Sequence, residues 1–310
     1  MGRGDLTDAE WERLLPFLPV SNGRCGRWRD HRQVIDGILH RVRTGVQWRD
    51  LPERFGPWKT VYERHRLWSA DGTWERLLQQ VQAAADAAGE IDWDISVDST
   101  IVRAHQHAAG ARTDPPPAPA LKGDDEVEHQ DETPWQSLVG RLVEVVLEVR
   151  AWVVSRGGFT SKVHLSADGR CRPLSLVITP GQRADCTQFK PVLEKIRVPK
   201  LGPGRPRKKP DSLAADKAYS NGPCREYLRR RGIRHTIPEK TDSHAARLRK
   251  GSRGGRPPGF DEERYKKRNT VERAINRLKQ SRAVATRYDK RGYVYLGTAT
   301  AAAVAIWLRT

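Results

Sequence analysis

The sequence has few cysteines: Cys25, Cys171, Cys186 and Cys224 are the only four in 310 residues, and no two of them form a Cys-x-x-Cys pair. This spacing excludes a disulfide framework and a zinc site built from thiolates, and it fits a reducing compartment. The sequence also lacks a run of 18 uncharged apolar residues and an apolar stretch near its first residue. We therefore expect neither a membrane span nor secretion, and we place the protein in the cytoplasm.

Acidic residues are the minority among the charged ones, with 38 Asp and Glu against 56 Lys and Arg, which gives a net charge of +18. Residues 195–282 hold 27 Lys and Arg and only nine Asp and Glu, whereas residues 1–194 carry a net charge of −3. Apolar residues recur between the charges of the basic segment, so we expect a folded basic surface rather than a disordered tail. A surface of this kind favours a nucleic acid partner.

Residues 1–90 are predicted to be helical. Capping residues and the spacing of apolar residues predict four helices, which begin after Thr7, Asp30 and Pro57 and near Thr73. The short turned segment 44–57 joins the second helix to the third, an arrangement that resembles a helix-turn-helix.

Three basic residues of the third helix are candidates for DNA contact. In the helix-turn-helix interpretation Lys59, Arg64 and Arg66 point outward and lie on DNA. The alternative is an ordinary helical bundle with solvated arginines, because residues 1–90 carry a net charge of only +1.

From residue 91 the apolar period changes to that of β-strands, and strands then alternate with helices. This order predicts a mixed α/β domain over residues 91–310. The predicted strands are 91–102, 162–166, 173–179, 213–216 and 233–238, and the predicted helices are 186–196, 223–231 and a long one that carries residues 265–279, preceded by a basic loop over 242–260.

Residues 113–154 do not follow this pattern. Three consecutive prolines and an acidic run, 124–132, precede an amphipathic stretch over 138–154. We interpret 113–154 as a variable acidic linker with an accessory helix, inserted in the second domain.

Three carboxylates are candidates for chemistry: Asp98 on the first strand, Asp216 at the end of a later strand and Glu272 on the long helix. A carboxylate on a surface that faces a polyanion is unfavourable unless it holds a cation. Two divalent ions, about 3.5–4 Å apart and bridged by carboxylates, are what phosphoryl transfer uses to activate the attacking oxygen and stabilise the leaving one. The alternatives are a solvated acid at a strand end for Asp98, an ion pair with Lys217 for Asp216 and a helix cap for Glu272.

The long helix predicts one polar face. At 100° per residue, Tyr265, Arg268, Glu272 and Lys279 share about 60° of the helix surface, beside an apolar stripe. A row of this length suits groups that follow a phosphate backbone past a single catalytic acid.

A loop at residues 203–210 adds further basic candidates. Its Gly-Arg-Pro core and flanking cations suit the narrow minor groove of A·T-rich DNA, and the alternative is a loop that binds phosphates without specificity. The candidate DNA contacts in and near this loop are Arg205, Arg207, Lys208, Lys209 and Lys217.

Several motifs in order give the sequence a family resemblance. The spacing Tyr265-x2-Arg268-x3-Glu272-x6-Lys279 resembles the Tyr-Arg-Glu-Lys signature of bacterial insertion-sequence transposases of the Asp-Asp-Glu class, and the surrounding residues are most similar to the insertion-sequence-five family. The other matching motifs are Leu6-Thr7-Asp8-x-x-Trp11, the run from Arg43 to Pro52, Phe55-Gly56-x-Trp58-x-Thr60-Val61-Tyr62, Asp98-Ser99-Thr100-x-Val102-Arg103-Ala104-His105 and Asp216-Lys217-Ala218-Tyr219.

The resemblance implies a ribonuclease-H-like catalytic domain at 91–310, preceded by a helical, helix-turn-helix-like DNA-binding domain at 1–90. It implies that Asp98, Asp216 and Glu272 bind two Mg²⁺ or Mn²⁺ ions, and that Tyr265, Arg268 and Lys279 contact the DNA of the element end. The expected reaction frees a 3′-OH at each inverted repeat and joins it to target DNA.

The same resemblance has implications for the assembly and the localisation of the protein, and two alternatives for its activity stay open. We expect a homodimer or higher oligomer when two ends are held together, and association with the nucleoid. The alternatives are a structure-specific nuclease that cuts without joining, and a DNA-binding repressor derived from an inactive transposase.

Overall fold

The computed structural model describes residues 4–19, 29–109, 153–155 and 158–310. Residues 110–152 lie outside these ranges, and with them most of the predicted linker and accessory helix. The last residues of that predicted helix belong to a strand instead, since Val153–Ser155 pairs with a neighbouring strand. The helical interpretation is therefore wrong at that end.

The four predicted N-terminal helices are present: α1 (Asp8–Leu14), α2 (His31–Thr44), α3 (Trp58–Ala70) and α4 (Thr73–Ala87). Thr7 and Glu10 form the expected capping box, and the Asp30 side chain caps α2. Gly45 ends α2 with a φ of 71°, which glycine adopts at little cost. Local signals thus determine where these helices begin and end.

A mixed sheet follows. Its strands are β1 (Asp94–Arg103), β2 (Val153–Ser155), β3 (Gly158–Ala167), β4 (Pro173–Pro180), β5 (Ser212–Ala215) and β6 (Arg234–Thr236). The order along the sheet is β2-β3-β1-β5-β6, with β4 also paired to β3. The strands β1, β5 and β6 are parallel, whereas β2, β3 and β4 pair in antiparallel fashion. The predicted mixed α/β class is confirmed.

The remaining helices are α5 (Gln106–Ala109), α6 (Asp185–Glu194), α7 (Gly222–Arg230), α8 (Thr241–Arg249), α9 (Glu262–Lys266), α10 (Asn269–Lys279), α11 (Arg282–Ala285) and α12 (Gly292–Leu308). Two predictions need correction. The basic loop over 242–260 contains α8, and the long helix over 265–279 is two helices. Arg268 stands at the break between α9 and α10, where the turn closes with i to i+3 hydrogen bonds.

The helix α12 was not predicted, and it organises the core. It packs against α3, α4 and β4, and the Trp307 indole N–H donates to the Pro173 carbonyl oxygen at 2.6 Å. One cluster of buried apolar side chains extends from Leu6 to Leu308. The helices of residues 1–90 therefore share their core with the end of the chain.

A buried ion pair also joins these regions. Arg41 on α2 contacts Asp289, which precedes α12, at 3.1 Å, and both side chains are almost fully buried. Asp289 in addition accepts from the Thr298 hydroxyl at 2.8 Å. Within the described ranges, no helix is both long and apolar enough to cross a membrane.

Candidate active site

The first two candidate acids lie on neighbouring parallel strands, Asp98 within β1 and Asp216 directly after the end of β5. Val97 on β1 pairs in parallel register with Ala215 on β5, so the residues that follow, Asp98 and Asp216, come at the same level of the sheet. Paired positions of parallel strands share one face. Each carboxylate accepts a hydrogen bond from the next backbone N–H, that of Ser99 at 2.8 Å and that of Lys217 at 2.6 Å. The second contact makes Asp216 the cap of a short turn rather than a free acid.

Helix α10 brings Glu272 to the same face. The apolar side of α10 is buried, and α10 packs against β1. Thr270 of α10 donates to the hydroxyl of Ser96, two residues before Asp98 and therefore on its face of the strand, at 3.2 Å. Glu272 lies in the first turn of α10, but its carboxylate accepts from the Arg268 side chain instead of capping the helix. The capping interpretation of Glu272 is wrong.

Arg268 lies between two of the acids. One guanidinium nitrogen donates to Asp98 at 3.2 Å, and the other donates to Glu272 at 2.5 Å. Arg268 thus occupies, with its positive charge, the space into which both carboxylates point.

The pKa of two of these groups reflects this arrangement. Burial raises the pKa of Asp98, against the lowering effects of the Ser99 N–H and of Arg268, and the carboxylates of Asp216 and Glu272 raise it further. Burial opposes the charge of Arg268, but the carboxylates of Glu272 and Asp98 outweigh it and raise the pKa of Arg268. Asp98 is therefore an acid whose negative charge needs a nearby cation.

The chemistry and the spacing of the three acids decide whether they can bind a metal ion. Across the described residues, no three His, Cys, Asp or Glu side chains are grouped closely enough to hold a metal ion. Carboxylate oxygens are nevertheless the ligands that Mg²⁺ and Mn²⁺ prefer. The three acids thus have the chemistry of ligands for a divalent cation, while in this structure the Arg268 guanidinium lies between Asp98 and Glu272.

The other two residues of the predicted polar face lie on either side of the acids. The ring of Tyr265 packs against Phe260, with centroids 5.3 Å apart, and the guanidinium of Arg268 lies 5.8 Å from the Tyr265 ring centroid. Lys279 approaches the carbonyl oxygen of Ile101 at 3.5 Å, and burial lowers the pKa of its amine. Because Tyr265 is on α9, the face that they form is not that of one helix.

In the basic loop at residues 203–210, some cations are exposed to solvent and one forms contacts within the chain. Arg205, Lys208 and Lys209 are exposed. Arg207 pairs with Asp211 at 2.9 Å, and its guanidinium lies 4.0 Å from the ring centroid of Trp93. This loop residue is therefore engaged within the chain.

The third helix differs from the prediction at one position. Lys59 is exposed, and Arg66 pairs with Glu63 at 2.7 Å on the surface of α3. Arg64 does not point outward: it is 8% exposed, and its guanidinium lies over the Trp68 ring at 5.5 Å. The predicted outward orientation of Arg64 is wrong, because this position falls on the buried side of α3.

A polar cluster that the sequence patterns did not single out lies behind β1. Asp185, the first residue of α6, accepts from the Ser99 hydroxyl at 2.6 Å and pairs with Lys162 at 3.1 Å. These residues come from three separate segments, so their spacing in the sequence carries no signal. Only the pairing of β1 with β3 and the packing of α6 on β3 bring them together.

Comparison with known proteins assigns the chain to a family. The sequence family described as "Transposase DDE domain" matches residues 91–304, and the family described as "Putative transposase of IS4/5 family" matches residues 6–78. The chain belongs to the DDE transposases, and it is a DNA transposase of the IS4/5 type. Such a domain implies a ribonuclease-H-like fold, DNA binding and the use of divalent metal ions.

Individual relatives agree with this family. The chain is 42% identical over 108 residues, 34% of its length and 82% of the relative, to the uncharacterized protein y4sN of Sinorhizobium fredii. It is 36% identical over 112 residues, 34% of its length and 76% of the relative, to the uncharacterized 16.2 kDa protein of insertion element IS402 of Burkholderia cepacia. It is 27% identical over 150 residues, 48% of its length and 99% of the relative, to a putative transposase for insertion sequence element IS6501 of Brucella ovis. No solved structure matches the chain.

Proposed function

We propose that this transposase cleaves DNA at the ends of an insertion element and joins the freed 3′-OH to target DNA, with Asp98, Asp216 and Glu272 holding two Mg²⁺ or Mn²⁺ ions. The observation that carries the proposal is the placement of the two aspartates at the same level of adjacent parallel strands, with Glu272 directed to the same guanidinium as Asp98. When bound, the ions would activate the attacking oxygen and stabilise the leaving one.

The residues of this chain have separate tasks in that reaction. The backbone N–H groups of Ser99 and Lys217 orient the carboxylates of Asp98 and Asp216 before any cation arrives. Arg268 neutralises Asp98 and Glu272 while DNA is absent, and a DNA phosphate offers its guanidinium another anionic partner. Movement of Arg268 to the phosphate would then clear the acids for the ions.

The basic segment supplies the DNA contacts in this proposal. Tyr265, Arg268 and Lys279 border the acids and would follow the backbone of the element end. We expect Lys279→Ala to weaken binding to the ends and to lower the salt slope of log K by about one unit, because one phosphate contact is lost. An unchanged slope in filter-binding titrations at several salt concentrations would count against this contact. The further DNA contacts that we propose are Lys217, Arg205, Lys208 and Lys209, and Arg207 once its side chain leaves Asp211 and Trp93.

The N-terminal helices are proposed to form the DNA-binding domain, with a boundary near residue 90 and the catalytic domain at 91–310. Two separate family matches, one that ends at residue 78 and one that begins at residue 91, support this division. The proposed helix-turn-helix consists of α2, segment 44–57 and α3, and Lys59, Arg64 and Arg66 lie on α3. For Arg64 a DNA contact requires the side chain to leave Trp68.

The proposal extends to what the protein assembles with. The terminal inverted repeats and the target DNA are its proposed partners, and a homodimer or higher oligomer would hold two ends together. Association with the nucleoid would follow from its DNA binding.

The test is a plasmid that carries the element with its ends, incubated with Mg²⁺ or Mn²⁺ and purified protein. We expect Asp98→Asn, Asp216→Asn and Glu272→Gln each to abolish cleavage while DNA binding remains. The matched control is Glu263→Gln, an exposed acid on α9 that pairs with Lys266. Full cleavage by any of the three variants would overturn the site. Cleavage without joined products would favour a nuclease, and binding without cleavage by the unmodified protein would favour a repressor.

A further inference from the structure

The polar cluster behind β1 is centred on the Asp185 carboxylate. One oxygen of that carboxylate, Oδ1, accepts from the Ser99 hydroxyl at 2.6 Å and pairs with the Lys162 ammonium at 3.1 Å. The same oxygen lies 3.7 Å from Nδ1 of His164. Lys162 also donates to the Arg183 carbonyl oxygen at 3.0 Å, which holds the ammonium in place. The cluster is fixed at several points and is partly buried.

The charged side chains of this cluster are one acid, Asp185, and one base, Lys162. His164 is buried, and burial lowers its pKa to about 4, so its ring is neutral at neutral pH. Its other ring nitrogen, Nε2, is hydrogen-bonded to the Thr179 hydroxyl at 2.8 Å. Lys162 is therefore the charged partner of Asp185, and the Ser99 hydroxyl completes the hydrogen bonding of Oδ1.

Asp185 and Asp98 lie on opposite faces of the sheet. Successive residues of a strand point to opposite faces, so Ser99 points toward α6 while Asp98 points toward α10. Ser99 nevertheless touches both sides: its hydroxyl donates to Asp185, and its backbone N–H donates to Asp98 at 2.8 Å. The position of the Ser99 backbone is thus tied to α6.

Helix α6 also contacts the segment after Asp216. The ring of Phe189 on α6 packs against that of Tyr219, with centroids 5.3 Å apart, in the short turn that Asp216 caps. Tyr219 is buried in the space between this turn and α6. One helix therefore supports both segments that carry the aspartates, through a polar contact with Ser99 of β1 and an apolar contact after β5.

We propose that Asp185 is a positioning residue for the catalytic site, acting through Ser99 on the carboxylate of Asp98. It touches neither DNA nor cation. It fixes the middle of β1 from the opposite face of the sheet, so that the Ser99 N–H holds one Asp98 oxygen and leaves the other directed at the cation. This inference rests on the proposed role of Asp98 as a ligand.

The test measures the binding of Mn²⁺ alone to the whole protein. The electron paramagnetic resonance signal of free Mn²⁺ reports how much of the ion is unbound. We expect Asp185→Ala and Ser99→Ala each to weaken Mn²⁺ binding about tenfold, the scale found for residues that orient metal ligands. Because both changes break the same connection, the double variant should bind no more weakly than either single one. A structural role without positioning predicts additive effects or none.

Two conservative variants and one control keep the result interpretable. Asp185→Asn retains an oxygen for Ser99 and Ser99→Thr retains the hydroxyl, so both should bind Mn²⁺ within about twofold of the unmodified protein. Glu194→Gln removes the same charge from the exposed end of α6 and should leave binding unchanged. Circular dichroism identifies the temperatures at which every variant is folded, and binding is compared there.

The outcomes separate this inference from the site assignment. Loss of Mn²⁺ binding in Asp98→Asn, with unchanged binding in Asp185→Ala and Ser99→Ala, would overturn the positioning role and leave the site intact. Unchanged binding in Asp98→Asn would overturn the site and, with it, this inference. Additive losses in the double variant would show that Asp185 acts by another route than Ser99.

Discussion

Removal of Arg268 is expected to make the free protein bind divalent cations more tightly. In the structure its guanidinium contacts Asp98 at 3.2 Å and Glu272 at 2.5 Å, so a cation that binds these acids must first displace it. Arg268→Gln keeps much of the side-chain length and removes the charge. The two carboxylates are then left without their internal counterion, and an external cation meets no competitor.

The size of the effect follows from the exposure of the two contacts. The Asp98 side chain is 24% exposed, and a hydrogen bond between charged groups in such a place contributes about 1.5 kcal/mol. The Glu272 side chain is 47% exposed, so its pair with Arg268 is screened and contributes about 0.5 kcal/mol. The sum of about 2 kcal/mol corresponds to about 30-fold tighter binding.

Calorimetric titration of the DNA-free protein with Mn²⁺ provides the measurement. Arg273→Gln is the matched control, because it removes the same charge from an exposed position of α10, next to Glu272. Its binding should change much less than that of Arg268→Gln. Unchanged or weaker binding in Arg268→Gln, or an equal gain in Arg273→Gln, would refute the competition between the guanidinium and the cation.

Three further predictions concern the core that joins the N-terminal helices to α12. Burial lowers the pKa of His65 to about 4, so below pH 6.5 the unfolded chain binds a proton that the folded chain does not. The free energy of unfolding should therefore fall by about 3 kcal/mol as the pH falls from 6.5 to 4. His65→Gln should make this decline smaller in urea titrations. Arg41→Met should lower the free energy of unfolding by about 3–5 kcal/mol, because Asp289 is left buried and without its ion pair; an effect below 1 kcal/mol in chemical denaturation would contradict this. Gly297→Ala should lower it by about 1–3 kcal/mol, because the added methyl group would collide with the Ser69 side chain, and a melting temperature equal to that of the unmodified protein would show that α12 has room there.

Local signals in the sequence predicted most of the strands and helices that carry the three candidate acids. The strand β1 was predicted from alternating apolar residues and β5 as a short buried strand; both are present, and the apolar residues just before Asp98 and Asp216 are buried. The helix with Glu272 was predicted from its apolar stripe, which is buried in the structure. These features depend on neighbours along the chain, so a single sequence contains them.

Other features depend on contacts between distant segments, and no local pattern contains them. Arg268 was predicted to face DNA from a continuous helix, but it lies at a break between two helices and contacts Asp98, 170 residues away. The burial of Arg64 depends on His31 and Trp68, which flank it from α2 and α3. Asp185 meets Ser99 only because β1, β3 and α6 pack together.

The shared core has a consequence for how the proposed DNA-binding helices would work. Because α12 packs against α3, α4 and β4, and Arg41 pairs with Asp289 in a buried place, α2–α4 and the sheet belong to one packed body. Separation of the helices from the sheet would expose this apolar cluster and break a buried ion pair, at a free energy comparable with that of unfolding. DNA held by the N-terminal helices would therefore meet Asp98 and Glu272 at a fixed distance and angle. The exchange that we propose for Arg268, from the two acids to a DNA phosphate, would not require the helices to separate from the sheet.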